Sequence, residues 1–245
     1  MQSPEAFRAA VRAKHSAAFS LHRDVAALLE TAIEQPRHLL VDDVVSRAAD
    51  MLMVQAYKAH GSVYFLAVRA HVEDAATITR RLLEIAVQLT YIAGHGDPEV
   101  HRQRAGQFLA YFWESIPDGW RRKFPMSERT AWETLHQTHR HLLRKKRWGP
   151  TFIEMFQDIG RSDTYDEDYS LLSNIAHGTP SSLVLDYAEP VVKLHSDVHV
   201  PLVLVFASRY SLALARHWND VFHIIPDGEL SGLAGTATRF FDAGA

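Results

Sequence analysis

Arg80 and Glu84 stand four residues apart in an apolar stretch, with Ile78, Leu82, Leu83 and Ile85 around them. On a helix that spacing puts both side chains on one face. An arginine held by a carboxylate among apolar neighbours can bind an anion or orient a substrate. The same pair can also act as an internal salt bridge that only fixes a helix crossing. Tyr169, Ser173 and His177 recur at i, i+4 and i+8, and Asn174 lies three residues before His177. They make a polar stripe along one helix, with Leu171, Leu172 and Ile175 left for the core. A histidine at a helix end suits the partial negative charge of the last carbonyls. It equally suits proton transfer, with neighbours that hydrogen-bond a phosphate or a carbonyl. Partly buried polar groups tend to find one another. Arg80 or Glu84 is therefore expected within one hydrogen-bonded step of Tyr169, Ser173 or His177, across two helices packed side by side.

A second grouping is Glu133, His136, His139 and His141. A di-metal bundle site needs two Glu-x-x-His elements and two further glutamates, and no second copy is present. The grouping also runs into the basic run from Arg140 to Arg147, which repels a cation. Arg144, Lys145 and Arg147 in that run are candidate phosphate contacts, or else a solvated helix end that complements the dipole. Nucleophile-elbow, phosphate-loop and dinucleotide glycine motifs are absent. No metal and no cofactor is implied.

Helical periodicity covers most of the chain. Ser3-Pro4-Glu5 opens a first helix as hydroxyl cap, proline and acid, and Pro36 ends it. A second helix is expected from Leu39 to Lys58, closed by Gly61. Val63 to Ile92 reads as one central helix, broken by the glycines at 94 and 96. Further helices follow over 99–114, from Ser127 into the basic run, over 150–159 up to Gly160, and over 166–176. Strand character is confined to 182–200, where Leu183-Val184-Leu185 and Val191-Val192 flank Ala188-Glu189-Pro190 as a small β-hairpin. A last helix after Pro201 carries Phe206, Tyr210, Leu214, Trp218 and Phe222. The expected fold is all-α: a single helical bundle over residues 1–225, with a hairpin insertion before the last helix and a loosely held tail over 226–245.

A chain of 245 residues, 47% hydrophobic and 22% charged, can bury a core without staples. The absence of cysteine excludes disulfides, thiolate zinc sites and a cysteine nucleophile. A net charge of −3 means that attraction to phosphate must be local. The start has no basic, apolar leader and no run is long enough to span a bilayer. A cytoplasmic location, away from the membrane, follows by default.

Three segments together resemble an uncharacterised bacterial family, the domain of unknown function numbered fifty-six seventy-seven. They are Arg80-Arg81-Leu82-Leu83-Glu84-Ile85-Ala86 leading to Tyr91-Ile92; Trp148-Gly149-Pro150-Thr151-Phe152-Ile153-Glu154-Met155 with Gly160 after it; and Tyr169-Ser170-Leu171-Leu172-Ser173-Asn174-Ile175-Ala176-His177-Gly178. The resemblance spans roughly residues 40–225. It implies a helical domain with the Arg–Glu pair and the Ser–His–Gly helix end as hallmarks, and no established activity. A looser likeness is to HEPN ribonucleases, helical dimers marked by an arginine and a histidine with four to six residues between them. Ser170 stands where that arginine belongs, so Arg80 or Arg161 would have to supply the charge in space.

The leading expectation is a HEPN-like RNA-binding protein or metal-independent ribonuclease of defence or toxin type. His177 would transfer the proton, and Ser173, Asn174, Tyr169 and an arginine would hold phosphate. The rival is a non-catalytic module whose pocket of Arg80, Glu84, Tyr169 and His177 holds a small anionic ligand or organises a dimer. A helical metalloenzyme using Glu133 and His136 comes third. The aromatic face of the last helix needs cover from this chain or a second copy, and a homodimer is expected.

Overall fold

The computed structural model describes residues 3–35, 43–143, 148–177 and 197–242. Every regular element among them is helical. Ser3 caps α1 (Pro4–Lys14) by accepting the Ala6 N–H at 3.2 Å. The chain then breaks at His15, whose imidazole meets Asp197 at 3.0 Å, and α2 (Ser16–Glu34) follows. Asp43 caps α3 (Val44–Ala67) through the Val45 N–H at 3.0 Å. Gly61, expected as a stop, lies inside α3: a lone glycine costs a helix about 1 kcal/mol, less than the packing around it returns.

The central helix expected over 63–92 is two helices. Ala70 adopts φ 52°, the Leu66 carbonyl accepts both the Arg69 and His71 N–H groups at 3.0 Å, and the chain reverses into α4 (Val72–Ala93). No glycine or proline marks this turn. Tertiary packing imposes it, with Ala67, Val68, Ala70 and Val72 all buried.

After Gly94 come α5 (Pro98–Ser115), the short α6 (Asp118–Arg121) and α7 (Met126–His139), which runs into a tight turn over Arg140–Leu142. A reciprocal Thr151–Glu154 capping box starts α8 (Phe152–Asp158). Then α9 (Ser162–Thr164) passes through a wide π-helical turn, Tyr165–Tyr169, into α10 (Ser170–Ala176). The C-terminal pair is α11 (Val200–Phe222) and α12 (Asp227–Asp242).

Helices α3, α4 and α11 pack mutually at the centre. Helix α2 lies against α3 and α11, α5 carries α7 on the outside of α3, and α8 and α10 pack on α4. One continuous apolar core runs through them. The fold is an all-α bundle, and no helix among the described residues is long and apolar enough to cross a membrane.

Two expectations change. The β-hairpin over 182–200 lies almost wholly outside the described residues; its described end is a turn that leads straight into α11, and no strand occurs among the described residues. The tail expected over 226–245 contains α12, which docks on α11 and α2 and buries Leu230 and Ala237. Its glycines suggest looseness, but Leu230, Leu233, Ala237 and Phe240 recur at helical spacing and supply an apolar stripe.

The aromatic face of α11 is covered by this chain. Phe206, Tyr210, Leu214 and Trp218 are buried beneath the other helices, so the face itself gives no reason for a second copy.

Candidate functional site

The middle of α4, which packs on α10, carries Arg80 and Glu84. Their side chains are 23% and 14% exposed, which puts both at the rim of the core. The Arg80 Nη1 donates to Ser173 Oγ at 3.3 Å and stands 3.5 Å from His177 Nε2. The guanidinium lies over the Tyr169 ring, 5.5 Å from its centroid. The expected meeting of the two groups across α4 and α10 is therefore present.

The pairing inside the cluster differs in one respect. Glu84 Oε2 holds Arg81 Nη1 at 3.0 Å, while Arg80 Nε is 3.9 Å from Glu84 Oε1. Residues three and four apart on a helix are both neighbours, and Arg81 reaches the carboxylate more directly. Arg80 Nε is buried and makes no hydrogen bond among the described residues. Burial, and next the Glu84 charge, push the Tyr169 phenol up from its ordinary value.

His177 is the C-cap of α10, exposed to solvent, and its N–H donates to the Ser173 carbonyl at 3.0 Å. Asn174 sits on the exposed side of the same helix. Arg144, Lys145 and Arg147 lie outside the described residues.

The π-helical turn ahead of α10 sets which side chains face inward. By widening one turn it shifts the register. Asp168 is then buried at 8% exposure and receives Arg209 Nη1 at 3.2 Å. The Tyr210 phenol, buried beside that carboxylate, is pushed well above its ordinary value by desolvation first and the negative charge second. A straight 3.6-residue reading of 166–176 could not find Asp168, because the register shift leaves no mark in residue type.

The Glu133–His136 grouping disperses. Glu133 Oε1 lies 3.9 Å from Arg129 Nε, and His136 Nε2 lies 4.0 Å from Glu114 Oε2. His139 packs on Gly106, and burial, followed by neighbouring His141, lowers its pKa. Among the described residues no three His, Asp or Glu side chains gather as ligands would. A third device, absent from the sequence reading, is the stacked pair His22–His60 in the core, with ring centroids 3.6 Å apart.

The profile of a family described as a family of unknown function, DUF5677, matches residues 45–190. That span includes Arg80, Glu84, Trp148, Ser173 and His177. No curated protein and no solved structure matches the chain.

Proposed function

The chain belongs to this family of unknown function, and we propose that its α4–α10 cluster binds a phosphodiester of RNA and cleaves it without a metal ion. One observation carries the reading: the Ser173 hydroxyl and the solvent-exposed His177 imidazole meet a single nitrogen of the Arg80 guanidinium, at 3.3 and 3.5 Å. Arginine presents a planar fork of donors that fits phosphate, and histidine is the side chain suited to moving a proton near neutral pH. The 3.5 Å Arg80–His177 contact is at the limit of hydrogen bonding, so an arriving phosphate oxygen displaces little. In the proposed step the 2′-oxygen attacks phosphorus, its proton passes to His177, and the 5′-oxygen leaves as an alcohol after taking a proton from water. Arg80 offsets the charge that grows on the phosphate, and Ser173 orients it. The resemblance of the helix end to HEPN ribonucleases points the same way, and Arg80 is an arginine that lies beside His177.

A second reading is favoured by Tyr169 lying over Arg80 and by Glu84 set between two arginines: a non-catalytic polar clamp that holds α10 on α4. One experiment separates them. The full chain is incubated with single-stranded RNA in EDTA, beside His177→Ala and Arg80→Lys. Catalysis requires that both variants lose cleavage by about a hundredfold or more while the melting temperature stays within a degree or two. If the wild type leaves RNA intact and His177→Ala lowers stability by about 1–3 kcal/mol, the clamp is the function.

A further inference from the structure

Beside Arg81, a pocket of about 500 Å³ opens between α3, α4, α5 and the start of α8. Its walls are aromatic: Phe108 and Phe112 from α5, with Trp148 and Phe152 from the segment around the α8 cap. Trp148 and Phe108 are both buried and meet edge to face at 5.2 Å. Two carboxamides enter between these rings, Gln55 from α3 and Gln88 from α4, and Arg81 stands at the rim. Gln88 is only 6% exposed, and it lines the cavity. Carboxamides set against a cavity among aromatic rings offer a ligand both a donor and an acceptor, so the lining points to a flat ligand with a polar edge.

We infer that this pocket binds a nucleobase, stacked on its aromatic walls and read by the Gln88 and Gln55 amides, with Arg81 on the adjoining phosphate. A carboxamide offers a donor and an acceptor side by side, which matches the polar edge of a base, and every base has a face that stacks on aromatic rings. A cavity of this volume falls within the range of small-ligand sites. Arg81 shares Glu84 with Arg80, at 3.0 and 3.9 Å. The pocket and the α4–α10 cluster are thus neighbours across one carboxylate. A base held in the pocket would present its sugar-phosphate toward Arg80 and His177. This inference rests on the phosphodiester reading of that cluster for its role, and its test is independent of cleavage.

Calorimetric titration of the full chain with AMP, GMP, CMP and UMP, and with ribose 5-phosphate, reads the pocket directly. At least one nucleotide is expected to bind at least about tenfold more tightly than ribose 5-phosphate. Gln88→Leu is expected to weaken that binding at least about tenfold, because the unmet polar edge of the base is penalised. Gln55→Leu, at a less buried position, should weaken it in the same direction if Gln88→Leu fails to fold. A dinucleotide arm separates the sources: binding of the dinucleotide but of no mononucleotide still supports a base pocket and assigns it to the polymer. Equal binding of ribose 5-phosphate and the nucleotides, or no binding of either nucleotide form, overturns the inference. Intact RNA together with Gln88-dependent binding would sink the cleavage proposal and keep the pocket; His177-dependent cleavage without base binding would do the reverse.

Discussion

His22 and His60 show how a residue type is reassigned by burial. Each is 1% exposed or less, their rings stack at 3.6 Å, and each Nε2 donates to the other's backbone carbonyl, at 3.0 and 2.9 Å. With Nε2 carrying the proton, the His60 Nδ1 accepts from Ser211 Oγ at 2.9 Å, so the pair ties α2, α3 and α11 together while neutral. Burial takes the His60 pKa from 6.5 down to about 4. His22 is likewise well below the ordinary value, through desolvation first and the neighbouring His60 second. Between those two pH values the unfolded chain binds a proton that the folded chain refuses, so stability must rise with pH over that window. Going down from pH 6.5 to 4, His60 alone removes roughly 3 kcal/mol. Urea unfolding at pH 4.5, 5.5 and 7.5 should show this slope, and equal stability at all three would contradict it. Burial separates these two from His177, which sits in solvent at a helix end. Fifteen histidines in the sequence look alike; only their surroundings sort them.

At the scale of elements, the site depends on how α8 ends and α10 begins. Gly160 adopts φ +69°, and the Arg161 N–H returns to the Phe156 carbonyl at 2.8 Å, which closes α8 and turns the chain toward α9. A Cβ at Gly160 would meet nothing within 4 Å, so Gly160→Ala suffers only the left-handed backbone strain. That strain is about 1 kcal/mol, and thermal melts should show a drop of about 2–4 °C. A drop of 10 °C would mean that the turn carries more than its backbone geometry. Gly160 was legible as a stop because residue type dictates that conformation. The reversal at Ala70 was not legible, because alanine has no preference for positive φ and only the packing of α3 on α4 requires it. The π-helical turn at Tyr165–Tyr169 belongs with Ala70: no residue type in it announces a widened turn, and its Asp168 meets Arg209 from a distant helix.

For the molecule as a whole, α11 is the element on which α2, α3, α4 and α12 converge. Trp218 is fully buried there, whereas Trp120 is 61% exposed on α6. Trp218→Ala should lose about 3–5 kcal/mol, a large share of what a domain of this kind has, and Trp120→Ala about 0.5 kcal/mol or less. Chemical denaturation of the two variants tests this, and similar losses would overturn α11 as the centre of the core. The sequence by itself determined that the chain is helical, since three- and four-residue apolar spacing is a local property that survives any arrangement of the helices. It also determined the cap at Ser3, that Arg80 stands in an apolar stretch, and that Ser173 and His177 share a polar stripe. Their meeting could be expected in advance because buried polar groups seek partners. Which carboxylate oxygen holds which arginine, where α4 begins, that α12 docks, and that Gln88 faces an aromatic pocket were decided only by the tertiary structure. Those features depend on distances between residues far apart in the chain, and no spacing along the sequence encodes a distance across the core.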